Sequence, residues 1–283
     1  MSITPSAGRT DAVAAALFAA GAEALQESEG ALLTNAPSDD AARLLVAAAL
    51  AIDPGAVTST ELAPNVDWST AWRAQIRAHT VGLLTVSPPW LAGAFLPERT
   101  IVIEPAMAFG TGDHETTRGV LKLMQDVVLP GDSVADLGTG SAVLAIAAAK
   151  LGAARVFAIE NDPDAIGNAE ENVQTNGVAD RVLVLTGDAN VLLPLVAMET
   201  PVRAVLANIV SMVIRELLPV IGRSLAGDGA AIFSGMLLTE RDAMTSAFHD
   251  AGWAVCAEHA EGEWWSCVVR REGASGEAGP ICR

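Results

Sequence analysis

Lysine is nearly missing from this 283-residue chain: only Lys122 and Lys150 occur, against 34 acidic residues, and the formal net charge is −17. Nucleic-acid binding rests on Lys and Arg neutralising phosphates. The charge balance therefore argues against direct nucleic-acid binding and suits a basic partner, or simply keeps the chain dispersed in solution. Cysteine is scarce as well. Cys256, Cys267 and Cys282 are odd in number and far apart, with neither C-x-x-C spacing nor a neighbouring His pair, which argues against a disulfide framework and against zinc. No apolar run of about 18 residues passes without interruption. The start MSITPSAGRTDAVAAALFAAGAEA lacks the basic stretch, apolar block and cleavage site of a secretory signal. A soluble, cytoplasmic protein without membrane contact or metal is expected.

What is present is 51% hydrophobic, enough for one large core plus a smaller domain. Residues 11–20 read as a helix, 22–26 and 30–34 as a hairpin around Glu29-Gly30, 38–51 as a second helix and 56–62 as a strand. A strand before them would complete a ferredoxin-like β-α-β-β-α-β unit, but MSITPSAG reads as a poor one. Asp67 to Pro89 reads as an amphipathic helix carrying Trp68 and Trp72, then a strand ending at Pro88-Pro89.

Beyond residue 116 short apolar strands alternate with helices. The pattern predicts helices over 116–128, 141–151, 163–176, 211–225 and 239–251. It predicts strands over 133–137, 155–159, 182–186, 203–207 and 229–234, with two closing antiparallel strands near 253–258 and 264–270. This is the signature of βαβ units and a doubly wound α/β parallel sheet covered on both faces. The expected organisation is a small α+β domain over 1–64, a linking helix and strand over 65–94, a catalytic domain over 95–272 and a flexible tail over 273–283.

The strongest local signal is VADLGTGSAVLAIAAAKLGAARVFAIEND, in which a strand ends at Asp136, turns through Gly138, Thr139 and Gly140 and enters a helix. Backbone N–H groups at such a turn suit an anionic group. Glu160 follows 20 residues after Gly140, at the end of the next strand, where a carboxylate can accept both hydroxyls of a ribose. A nucleoside-bearing ligand is the leading reading. Val143 stands where a dinucleotide fingerprint needs glycine, which disfavours a nicotinamide or flavin. Asp136 either faces a ligand cation or caps the turn, and Asp188 in TGDAN either lies near a base edge or forms an Asx turn. The stretch EPAMAFGTGDHETTRG looks like a functional loop before a capped helix start. VLANIV places Asn208 where a strand opens onto the ligand crevice.

Asp136-Leu137-Gly138-Thr139-Gly140-Ser141-Ala142 fits the methyltransferase pattern acidic-x-G-x-G-x-G except at Ala142. AFGTGDHETT, DLGTGSAVLAIAAAKLGA, IENDPDAIGNAEENVQTNGV, LANIVSMVIRELLP, FSGMLLTERD and EGEWWSCVVRR resemble, in this order and spacing, the PrmA family of methyltransferases. The resemblance covers Trp68 to Arg271. It implies a class I, Rossmann-like fold, S-adenosylmethionine as cofactor, and methylation of lysine side chains and the N-terminal amine of a basic substrate, large-subunit ribosomal protein eleven. The N-terminal stretch is similar in kind to that family's small substrate-recognition domain.

Carried over by position, the cofactor site includes Thr117, Gly138, Glu160 and Asn208, with Asp136, Thr139, Gly140 and Asp188 beside them. The acceptor amine is expected to be oriented by Asn208, with His114 and Phe109 lining its channel and His114 either a general base or a residue ordering its loop. The rival readings are methylation of another protein or a small amine by the same fold, and a non-catalytic nucleoside-binding scaffold.

Overall fold

The computed structural model describes residues 1–28, 30–61, 76–105 and 112–272. The chain packs as two compact units, Met1–Trp72 and Arg73–Arg283.

In the first unit, β1 (Ser2–Thr4), α1 (Thr10–Ala19), β2 (Gln26–Ser28), β3 (Ala31–Leu33), α2 (Asp39–Ile52) and β4 (Val57–Ser59) follow one another. The antiparallel sheet has the order β2-β3-β1-β4, which is the ferredoxin-like arrangement. The poor strand MSITPSAG thus does form, and at an inner position. A single apolar residue explains why: Ile3 is fully buried beneath the helices with Val13, Leu17, Leu32, Leu45 and Ala49. Three residues are too few to show a period of two, so tertiary burial decides what local pattern could not. At the other end of the unit, Asp53 accepts bonds from Ser6 N and Oγ and from Gly55 N. These hold its carboxyl below the usual range, the Ser6 backbone bond most of all.

The second unit opens with β5 (His79–Val81), β6 (Leu84–Ser87), α3 (Pro89–Ala92) and β7 (Thr100–Val102), where β6 pairs antiparallel with β5 and parallel with β7. The linking strand of the sequence reading is therefore a hairpin through Gly82. The Trp68 and Trp72 helix lies outside the described residues. After α4 (Glu115–Met124) come β8 (Ser133–Leu137), α5 (Val143–Lys150), β9 (Arg155–Glu160), α6 (Pro163–Thr175), β10 (Val182–Thr186), α7 (Ala189–Ala197) and β11 (Val202–Asn208). Then follow α8 (Ser211–Ser224), β12 (Leu225–Leu237), α9 (Arg241–Asp250), β13 (Trp253–Glu261) and β14 (Trp264–Arg271). Helix α7 escaped the sequence reading because Pro194 sits inside it. Strand β12 runs at both ends beyond the expected 229–234. The turn of the last hairpin falls at Gly262-Glu263, and β13 runs to Glu261, beyond the expected 253–258.

The seven-stranded sheet has the order β10-β9-β8-β11-β12-β14-β13, parallel through β12, with β14 antiparallel between β12 and β13. Alternate residues feed two cores. Val134, Val156, Ala158 and Leu206 face α4, α5 and α6, while Leu137, Phe157, Ile159, Val205 and Phe233 face α8 and α9. Burial on both faces is why these strands read as continuous apolar runs rather than alternating ones. Helix α5 is buried throughout Val143–Ala149, and its alanines let it lie close to the sheet. Among the described residues no helix is long and apolar enough to cross a membrane.

Ile3→Ala is expected to destabilise the first unit by about 2–5 kcal/mol, read as an earlier transition in urea by circular dichroism. An unmoved transition would mean that β1 does not organise that unit.

Candidate active site

The chain order reverses between β8 and β11, which lie side by side in the sheet although two strands separate them in sequence. The connections leaving their carboxyl ends diverge there and leave a crevice. A cavity of about 340 Å³ opens at this place, lined among others by Leu137, Gly138, Ile159, Asn161, Asp188 and Ile209. A larger hollow of about 650 Å³ lies in the first unit, between Glu23, Gln26, Leu33 and Glu61. It contains none of the predicted site residues, so size alone is a poor guide here.

Asp136 is 1% exposed. Its Oδ2 accepts from Thr139 Oγ1 at 2.5 Å and from the Ala145 N–H at 3.1 Å. Its Oδ1 is buried and has no hydrogen-bond partner among the described residues. Burial pushes the carboxyl up to about 7; the bonds from Thr139 and Ala145 oppose this and the charge of Glu160 adds to it. Oδ2 thus closes the turn, as the capping alternative expects, while Oδ1 is left as a buried acceptor without a partner among the described residues.

The turn itself runs through positive φ at Gly138 (69°), Gly140 (54°) and Ala142 (64°). A Cβ at Gly138 would lie 2.7 Å from Ile209 Cγ2, so that glycine is required by contact as well as by conformation. Ala142, the departure from the glycine pattern, is fully buried and left-handed at the N-cap of α5, a backbone state that is strained for any residue with a Cβ. Glu160 Oε2 accepts the Gly140 N–H at 2.9 Å, and Oε1 accepts those of Asn161 and Asp162 at 2.9 and 3.0 Å. The carboxylate is therefore fixed by backbone donors at the mouth of the turn. Asp188 is exposed, and its Oδ1 accepts from Asn190 N at 2.8 Å. It caps α7 as an Asx turn while lining the cavity.

On the other side of the crevice, Asn208 ends β11 and its Nδ2 donates to the buried Thr117 Oγ1 at 3.3 Å. Thr117 sits in the first turn of α4, whose N-cap is His114. The His114 Nδ1 accepts the Thr116 N–H at 3.3 Å, lies 2.8 Å from Thr116 Oγ1, and its ring meets Trp264 edge-on at 5.1 Å. These contacts tie His114 to the first turn of α4 and to Trp264. Arg118 fastens the same helix start, donating to the Asp113 carbonyl and pairing with Glu261 at 2.8 Å. Phe109 lies outside the described residues.

Two residues of this site were not singled out from the sequence. A Cβ on Gly235 (φ 81°) would lie 2.5 Å from the Ile209 carbonyl oxygen, so only glycine lets β12 back the Asn208-Ile209 turn. Glu240 joins the first residue of α8 to the end of β12, accepting from Ser211 Oγ at 2.6 Å and from Leu237 N at 2.8 Å. The Ser211 bond is the chief cause of its lowered pKa. A glycine and a glutamate in ordinary surroundings carry no local signature; the signal is the approach of two strand tips.

An acid whose folded pKa lies above its unfolded value favours the folded state most below pH 3.8, and that contribution is lost as pH rises to about 7. From pH 4 to 8 the ligand-free protein should lose on the order of 4 kcal/mol more than Asp136→Asn does. Parallel pH slopes in urea unfolding would contradict the buried, protonated state. Ala142→Gly should stabilise the fold by about 1 kcal/mol; a lower thermal midpoint would show that the left-handed alanine is unstrained.

Residues 15–272 match the profile of the family described as ribosomal protein L11 methyltransferase (PrmA). A ribosomal protein L11 methyltransferase of Pelotomaculum thermopropionicum is 39% identical over 228 residues, which are 80% of this chain and 72% of that one. One of Chloroflexus aurantiacus is 37% identical, over 78% of this chain and 74% of its own. A third, of Desulforamulus reducens, is matched over 66% of its length. Among solved structures, the ribosomal protein L11 methylase of Lactobacillus delbrueckii subsp. bulgaricus superposes with a TM-score of 0.59 at 28% identity, covering 69% of this chain and 99% of that one. Motif order, strand order and the extent of these matches agree: the chain belongs to the ribosomal protein L11 methyltransferase (PrmA) family.

Proposed function

We propose that this chain is an S-adenosylmethionine-dependent N-methyltransferase acting on lysine side chains and the N-terminal amine of ribosomal protein L11. The observation that carries the reading is the buried Asp136 Oδ1, unpartnered beside a left-handed glycine turn, in a chain whose relatives bear that enzyme's name. Asp136 receives the ammonium of the cofactor's methionine end, backbone N–H groups of the turn its carboxylate, and Glu160 the ribose hydroxyls. Asp188 lies at the base edge. Residues 95–272 form the catalytic domain, and residues 1–64 recognise the substrate. A net charge of −17 suits a basic protein rather than a nucleic acid, and the reaction belongs in the cytoplasm.

S-adenosylmethionine supplies an electrophilic methyl group on a positively charged sulfur. The work of the chain is to hold a neutral amine in line with it and to exclude water. Thr117 holds the Asn208 amide by Nδ2, which presents Oδ1 to an N–H of the acceptor and directs the nitrogen lone pair at the methyl group. A free lysine amine has a pKa near 10.4, and a dry, partly apolar approach past Trp264 lowers it. His114, engaged through Nδ1 in capping α4, orders the wall of that approach.

Labelled S-adenosylmethionine with purified large-subunit ribosomal proteins, followed by mass spectrometry, tests the reading. Label on L11 amines is expected, with turnover reduced on the order of 10²-fold in Asn208→Ala. Label on another protein would move the substrate, and cofactor binding without transfer would leave a nucleoside-binding scaffold.

A further inference from the structure

At the start of α5 two backbone groups that a continuing helix would pair with each other are taken by side chains from elsewhere. The Ala145 N–H donates to Asp136 Oδ2 at 3.1 Å instead of to the Ser141 carbonyl four residues back. The Ser141 carbonyl accepts from Asn172 Nδ2 at 3.0 Å. Asn172 lies in the last turn of α6 and is 1% exposed, as is Ser141. Its Oδ1 accepts the Glu104 N–H at 3.0 Å, and Nδ2 also approaches Asn168 Oδ1 at 3.4 Å. Such an amide is held at both ends and has little freedom to turn.

We infer that Asn172 is a positioning residue for cofactor binding, acting through the Ser141 carbonyl on the turn from Gly138 to Ala142. Without the Asn172 amide, the Ser141 peptide recovers its helical partner, the Ala145 N–H. That withdraws a donor from Asp136 and lets Ala142 leave its strained left-handed state, because the helix then begins one residue earlier. The turn loses the form in which Asp136 and Gly140 face the crevice. The inference rests on the proposed reading of that turn as the S-adenosylmethionine site.

A built-in comparison separates this role from general stability. Asn176, the C-cap of α6, accepts the Val102 N–H at 2.8 Å and donates to the Val102 carbonyl at 2.6 Å. It clamps the same neighbouring segment and also donates to the backbone carbonyl of Asn172 at 2.8 Å, yet among the described residues no bond joins its side chain to the glycine turn. Titration calorimetry with S-adenosylmethionine and with S-adenosylhomocysteine on the full chain should give Asn172→Ala a Kd about tenfold above wild type. KM for the cofactor should rise by the same factor, and kcat at saturation should stay within about twofold. Asn176→Ala should lower the thermal midpoint comparably and leave Kd unchanged. Asn172→Asp, which retains an acceptor for Glu104 but opposes the Ser141 carbonyl with a carboxylate oxygen, should weaken binding at least as much, and it serves if the alanine variant does not fold. Wild-type Kd in the Asn172 variants, or an equal rise in Asn176→Ala, would overturn the inference. A wild-type protein that binds neither cofactor form would instead remove the reading of the site, and this inference with it.

Discussion

A carboxylate buried at the carboxyl end of a central strand organises the second unit. Asp136 Oδ2 draws in Thr139 and the Ala145 N–H, which bends the chain through three left-handed residues before α5 can begin. That bend sends the Gly140 N–H to Glu160 and the Ser141 carbonyl to Asn172. Burying a charge in this way is costly unless it is paired, and the raised pKa of Asp136 reflects that cost. The Oδ1 that burial leaves without a partner carries that cost, because nothing among the described residues replaces the water it has lost.

Sheet order supplies the second half of the site. Because β11 lies against β8, the end of β11 comes beside the glycine turn, where Ile209, next to Asn208, lines the same cavity as Gly138, and β12 closes in behind it. Gly235 permits that approach by lacking a side chain, and Glu240 secures it by binding the end of β12 and the first residue of α8. Helix α4 crosses over these strands and brings Thr117 to Asn208. The His114 cap and the Arg118–Glu261 pair hold its first turn. The Thr117–Asn208 contact thus joins segments 91 residues apart, each individually ordinary.

Much of this was legible in the chain. The parallel-sheet class, most helices and strands of the second unit, the placement of Asp136, Gly138 and Gly140 on one turn and that of Glu160 at the end of the next strand follow from apolar runs punctuated by glycine, where both the period and the turn chemistry are local. Other features were not. β1 carries one inward residue, Ile3; α7 contains Pro194; and the hairpin at β5 and β6 is too short to declare a period. In each case burial against distant residues outweighed local preference.

The sequence by itself determined the kinds of chemistry available: an acid before a glycine turn, a second acid one strand later, an asparagine at a strand end. These lie within single β-turn-α steps, whose geometry the backbone dictates over a few residues. Only the tertiary structure decided which oxygen of Asp136 is spent on the turn and which stays unpartnered. It alone decided that Ala142 accepts a left-handed backbone, that Thr117 holds Asn208, and that Gly235, Glu240 and Asn172 support the loops from behind. Those assignments depend on distances between elements far apart in the chain, set by the packing of both faces of the sheet at once, and no local pattern encodes them.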